Sequence, residues 1–272
     1  MATANPRTMS SRERENILRH KQSDYDDEFI DDEEFVDDVS EGSEDIGHTT
    51  EYGKAEYWDE RYSTFSPFDW LVEYAHFKEA NFTKFFRKND RFLMLGCGSA
   101  RFSADMYDDG FENIFNVDLS SVVIKDEMDK NAHRENMHYE VMNVTDLTFG
   151  DETFDVVIDK STMDCIFCCA NSVQQISDMM HESWRVLKPG GLFVTLSLHE
   201  ESKVLPYISV DAEGMEFNWL SIESMKIPNP GYATDKEKSE FHIVVVAVKP
   251  ADATESIKTE VHATNTLKEE SV

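Results

Sequence analysis

Leu93-Met94-Leu95-Gly96-Cys97-Gly98-Ser99 joins three apolar residues directly to a Gly-x-Gly turn, and a helical stretch comes next, near residues 102–109. Glycine tolerates left-handed backbone and lets a ligand approach the chain closely, so this junction marks the carboxyl end of a first strand as a binding edge. Glycine turns are common; the residues downstream give this one its meaning. Twenty residues past Gly98, the run 114–117 ends in Asp118, an acid placed to accept both ribose hydroxyls of a nucleoside. The dinucleotide fingerprint asks for a third glycine three residues after Gly98, where Arg101 stands, and no Gly-Lys-Ser/Thr of a phosphate loop is present after the turn. A ligand with a ribose and no pyrophosphate does not need that third glycine. S-adenosylmethionine is such a ligand.

Outward from this junction, short apolar runs (92–95, 114–117, 139–142, 154–158 and 192–198) alternate with helical stretches near 102–109, 121–131 and 173–187. In the last of these, Val173, Ile176, Met180, Trp184 and Leu187 share one face. Such alternation predicts an α/β fold with a parallel sheet covered on both sides. Past residue 200 the alternation stops. Residues 216–221 and 241–248 read as two strands joined by a long loop through Ile227-Pro228-Asn229-Pro230-Gly231, a hairpin and not a crossover. Upstream, residues 68–86 read as one helix with Leu71, Tyr74, Ala75, Phe82, Phe85 and Phe86 on its buried face and Phe77 off it.

The 272 residues hold 55 Asp and Glu against 26 Lys and Arg, a formal net charge of −29. A nucleic-acid partner is disfavoured, because counterion release needs a basic face. A basic protein partner fits this charge. No apolar run approaches the roughly 20 residues of a membrane span, and no signal-peptide core stands at the start. Cys97, Cys165, Cys168 and Cys169 make no disulfide framework for this length, which points to a reducing, cytoplasmic setting. The acids are concentrated: no Lys or Arg lies between Lys21 and Lys54. Residues 1–50 are therefore expected to be a disordered acidic segment, 51–250 the folded domain, and 251–272 a disordered tail.

Three more segments complete a pattern. The third strand runs into Met142-Asn143-Val144, where the Asn143 side chain and the Val144 amide can hold an adenine edge. Phe154-Asp155-Val156-Val157-Ile158-Asp159 ends in an acid, and Leu187-Lys188-Pro189-Gly190-Gly191 turns a helix into the fifth strand. In this order and spacing, the set resembles class I S-adenosylmethionine-dependent methyltransferases over residues 90–198. The resemblance implies a Rossmann-like, seven-stranded, mostly parallel sheet with helices on both faces and an antiparallel C-terminal edge hairpin. A narrower similarity begins upstream. Glu56-Tyr57-Trp58-Asp59-Glu60-Arg61-Tyr62, the segment Phe68-Asp69-Trp70-Leu71 just after it, and Asp155–Asp164 resemble the methyltransferase-like family whose members methylate lysines of translation elongation factor 1-alpha.

In that family an aromatic N-terminal segment folds over the cofactor. Carried over, this implies S-adenosylmethionine contacts from Trp58, Tyr62, Trp70, Gly96, Gly98, Asp118, Asn143, Val144 and Lys160. Asn143 stands where the family usually has aspartate; its amide oxygen can still accept from the adenine amino group. The implied activity is protein-lysine N-methylation of a basic protein such as elongation factor 1-alpha. A small-molecule methyltransferase would share every cofactor residue, and a non-catalytic module of the same fold is a third reading. The three aromatics also suit the core of a helical cap. Asp159 and His199 are the candidate catalytic groups; no metal site is expected, because no second Cys or His pair lies at zinc-finger spacing.

Overall fold

Phe92–Leu95 is buried at every position, and strand alternation sends Phe92 and Met94 to one side and Leu93 and Leu95 to the other. A strand apolar on both sides must be covered on both, and this one (β1) lies inside the sheet. The computed structural model describes residues 49–64, 67, 69–234 and 238–251. The expectations for residues 1–48 and 252–272 lie outside that range.

A 3-10 turn, Thr49–Gly53, precedes helix α1 (Ala55–Thr64), α2 (Tyr74–Glu79) and a second 3-10 turn, Phe82–Phe85. After β1 come α3 (Phe102–Asp108), β2 (Ile114–Asp118), α4 (Ser121–Lys130), β3 (Met137–Val141) and β4 (Phe154–Lys160). The chain continues through α5 (Thr162–Phe167), α6 (Ser172–Val186), β5 (Leu187–Ser197), α7 (Glu201–Ser209), β6 (Ser221–Pro228) and β7 (Phe241–Val248). The seven strands are ordered β3-β2-β1-β4-β5-β7-β6. The first five pair in parallel, and β7 pairs antiparallel with both β5 and β6. The expected Rossmann-like, seven-stranded, mostly parallel sheet with an antiparallel edge hairpin is the fold observed.

Two apolar layers enclose this sheet. Leu93, Leu95, Val157 and Phe193 pack against Met163 and Ile166 of α5, Ile176 and Met180 of α6, and Val204 and Ile208 of α7. Phe92, Met94, Val156 and Val194 face α2, the Phe82–Phe85 turn and α3, through Phe77, Phe82, Phe102 and Met106. The strand order reverses direction between β1 and β4, so their carboxyl ends diverge and open a crevice.

Four sequence expectations are corrected. Residues 68–86 are not one helix: Leu71 and Asn81 sit at φ of 64° and 63°, which a right-handed helix cannot hold, so α2 keeps six residues. Phe77, expected off the buried face, is fully buried, and Ala75 is exposed. The strand expected at 216–221 lies at Ser221–Pro228, because this edge strand buries only Ile227 and lacks a continuous apolar run. Glu216 forms an isolated bridge with Val210 and belongs to no strand. The fifth strand begins at Leu187 with a register shift near Phe154, where Gly190 takes φ +77°. Helix α7 was hidden by Pro206 in its interior.

Candidate functional site

The crevice is built from strand ends. Gly96 and Gly98, just past β1, adopt φ of +56° and +55°. A side chain at Gly96 would collide with Thr162, and a Cβ at Gly98 would lie 3.0 Å from the Tyr62 hydroxyl. The missing side chains therefore let Thr162 and Tyr62 lie close against this turn. The amide of Gly98 donates to Asp118 Oδ2 at 2.9 Å, and the amide of Ser120 donates to Oδ1 at 2.9 Å. Burial raises the Asp118 carboxyl to about 6 against these two donors, which favour the charged form.

These groups border a single cleft that opens to solvent. Gly96, Gly98, Asp118, Asn143 and Val144 line it together with Trp58, Tyr62, Trp70 and Lys160. The structure thus gathers all nine predicted cofactor residues about one cavity, although the sequence separates them by up to 102 positions. Asn143 Oδ1 accepts from the Thr145 amide at 3.0 Å, and the second lone pair of the oxygen still offers an acceptor.

Helix α1 supplies the aromatic wall. Trp58 and Tyr62 are one helical turn apart and stack with ring centres 5.7 Å apart. The indole of Trp58 donates to the Tyr52 carbonyl at 2.7 Å, which ties the helix to the preceding 3-10 turn. Trp58 is buried yet belongs to neither core layer. It covers the cleft and not the sheet. Trp70 is held by Lys160, whose ammonium donates to the Trp70 carbonyl at 2.9 Å and lies 3.4 Å from Asp69 Oδ1. Burial pulls the Lys160 pKa down, and the Asp69 carboxylate opposes that shift.

The two candidate catalytic groups are placed outside the cleft lining. Asp159 is fully buried and accepts from the Thr195 hydroxyl at 2.7 Å and from the amides of Thr162 and Met163 at 2.9 and 3.3 Å. Burial raises its carboxyl to about 7. His199 packs edge-on against Phe167, and burial lowers its pKa to about 3, so its ring is neutral near pH 7. Asp164 is likewise sealed, accepting from the hydroxyls of Ser161 and Ser197 and from the Leu198 amide.

Residue reading missed Tyr52, Cys165 and Gln175, which also line the cleft. Tyr52 had a signal: with Tyr57, Trp58 and Tyr62 it makes four aromatics within 11 residues. Cys165 and Gln175 had none, because α5 and α6 bring them to the cleft from downstream. The thiol of Cys165 is pushed well up by burial, which leaves it protonated. No group of His, Cys, Asp and Glu suited to a metal ion occurs among the described residues.

Comparison with known proteins adds independent information. Residues 93–195 match the family model described as a methyltransferase domain. The mouse "eEF1A lysine and N-terminal methyltransferase" is 35% identical over 153 residues, covering 54% of this chain and 22% of that protein. The mouse "EEF1A lysine methyltransferase 4" is 31% identical over 158 residues, covering 54% of this chain and 62% of that protein. The matched stretch thus spans about a fifth of the first relative's length and under two thirds of the second's. Among solved structures, the [4+2]-cyclase SpnF superposes with a TM-score of 0.53 at 12% identity, covering 75% of this chain and 97% of that one. A phosphoethanolamine N-methyltransferase from Haemonchus contortus gives 0.52 at 15% identity, covering 73% of this chain and 48% of that one. These two likenesses show the fold.

Proposed function

From a chain that carries a class I, S-adenosylmethionine-dependent methyltransferase domain and resembles the eEF1A lysine methyltransferases, we propose protein-lysine N-methylation of a basic protein of the eEF1A kind. The observation that carries this reading is the single cleft shared by the glycine loop, Asp118, Asn143, Lys160 and the aromatic helix. The proposed setting is the cytoplasm. No helix among the described residues is long and apolar enough to cross a membrane.

S-adenosylmethionine supplies an electrophilic methyl group on a sulfonium. The residues of this chain orient and dry the site. Asp118 accepts the ribose hydroxyls, Gly96 and Gly98 admit the ligand to the backbone, and Asn143 with Val144 meets the adenine edge. Trp58, Tyr62 and Trp70 would line the cofactor site with aromatic surface, and each ring that meets the positive sulfur would contribute roughly 0.5–2 kcal/mol by cation–π attraction. They also exclude water, and orientation with desolvation is the main requirement of an in-line displacement. A lysine acceptor must lose a proton from a pKa near 10.4. Aromatic walls and a nearby cation lower that value without a dedicated base, which agrees with Asp159 and His199 lying outside the lining. The net charge of −29 steers a basic partner toward the protein.

The test is incubation of the purified protein with tritiated S-adenosylmethionine and a cell extract. One labelled protein band whose counts reside in methyl-lysine is expected. Label confined to the small-molecule fraction would overturn the protein-substrate reading in favour of a small acceptor.

A further inference from the structure

We propose that Asp59 is a positioning residue that latches the aromatic helix α1 over the cleft by gripping the turn that follows Asp118. This rests on the cofactor reading above. Asp59 lies between Trp58 and Tyr62 in sequence, but its carboxylate points across to the start of α4. Its Oδ1 accepts from the Ser120 hydroxyl at 2.5 Å and from the Val122 amide at 3.2 Å, and its Oδ2 lies 3.4 Å from the Ser121 hydroxyl. Ser120 is itself fully buried and is the N-cap of α4, accepting from the Val123 amide at 3.3 Å. The Ser120 backbone amide in turn donates to Asp118, and Asp118 holds the amide of Gly98. A continuous hydrogen-bonded path thus runs from α1 through Asp59, Ser120 and Asp118 to the glycine loop.

The rest of α1 is half-buried or exposed. Its one buried side chain is Trp58, which belongs to neither core layer. Polar contacts therefore carry part of its attachment, and hydrogen bonds to a carboxylate are about twice as strong as neutral ones. The Ser120 hydroxyl, with the amides at the positive end of α4, holds the Asp59 carboxyl below its ordinary range. The latch is therefore charged at neutral pH. Releasing it would swing away the ring faces of Trp58 and Tyr62 while both core layers stay intact.

The experiment compares wild type, Asp59→Ala, Asp59→Asn, Trp58→Ala and the Asp59→Ala/Trp58→Ala double variant. The readouts are release of S-adenosylhomocysteine by stopped flow and tryptic cleavage of the Arg61–Tyr62 bond in ligand-free protein. Asp59→Ala is expected to speed both by about tenfold or more, with Asp59→Asn in between. The double variant is expected to release ligand no faster than Trp58→Ala alone, because both changes remove the same wall. Multiplying effects on release would make Asp59 a simple cap of α4 and overturn the proposal. Faster cleavage with unchanged release would do the same, leaving a structural anchor. If Asp59→Ala does not fold, Asp59→Asn carries the test, and wild-type rates from it overturn the proposal. A wild-type protein that binds no S-adenosylhomocysteine overturns the cofactor reading first.

Discussion

The two halves of the sheet end in buried acids that have opposite surroundings. On the β2 side, Asp118 is held by two backbone amides and borders an open cleft. On the β4 side, Asp159 is fully buried and meets a hydroxyl and two amides, and neither it nor Asp164 lines the cleft. Residue type is alike, but Asp118 is the last residue of β2 whereas Asp159 pairs through Leu95 at the level of Val117, so the two side chains leave opposite faces of the sheet. Where a hydroxyl and two amides engage it away from the cleft, an aspartate locks loops together. Where backbone donors leave one side open, it can receive a ligand.

This contrast is broken most strongly by truncation on the sealed side. Asp159→Ala leaves the Thr195 hydroxyl and two amides without their acceptor, and a stability loss of about 2–4 kcal/mol is expected in denaturant titrations. Asp118→Ala should cost less stability, because water in the cleft can replace the carboxylate. It should instead weaken S-adenosylhomocysteine binding by about 1.5–3 kcal/mol, the value of a hydrogen bond to a charged group, measured by calorimetry. Equal stability losses and equal affinities in the two variants would erase the distinction.

Acidity sharpens the same comparison. In the proposed function the ionised Asp118 accepts the ribose hydroxyls, and its carboxyl is raised to about 6 in the folded protein. Affinity should be flat above that pH and fall roughly tenfold per unit below it, since ligand and proton compete for one carboxylate. Asp118→Asn should flatten the profile. The smallest expected effect is at the wall: Trp58→Ala should weaken ligand binding by roughly 1–2 kcal/mol. Its stability loss should stay below the about 3–5 kcal/mol of a core tryptophan, because Trp58 lies outside both core layers. A full core-sized loss with unchanged affinity would return Trp58 to the helical-cap reading.

Legibility divided along the same line. That Gly96, Gly98 and Asp118 line the crevice could be read because a glycine turn and an acid at strand ends mark that edge of the sheet. The parallel core could be read because its strands are apolar on both faces, as Phe92–Leu95 is. The edge strand Ser221–Pro228 could not, because half-exposed residues such as Ser224 and Lys226 carry no apolar signal. Nor could the break of residues 68–86 at Leu71, a residue that seldom takes positive φ and does so here within the strap carrying Trp70. The link from Asp59 to Ser120 spans 61 positions and leaves no periodic trace.

The most direct test incubates purified eEF1A and S-adenosylmethionine with wild-type protein or Asp118→Ala, and maps methyl groups by peptide mass spectrometry. The account predicts methylation of a lysine by the wild type and strong loss of that product with Asp118→Ala. A wild-type protein that binds S-adenosylhomocysteine in the cleft yet methylates no lysine of eEF1A or of any protein in a cell extract would contradict it.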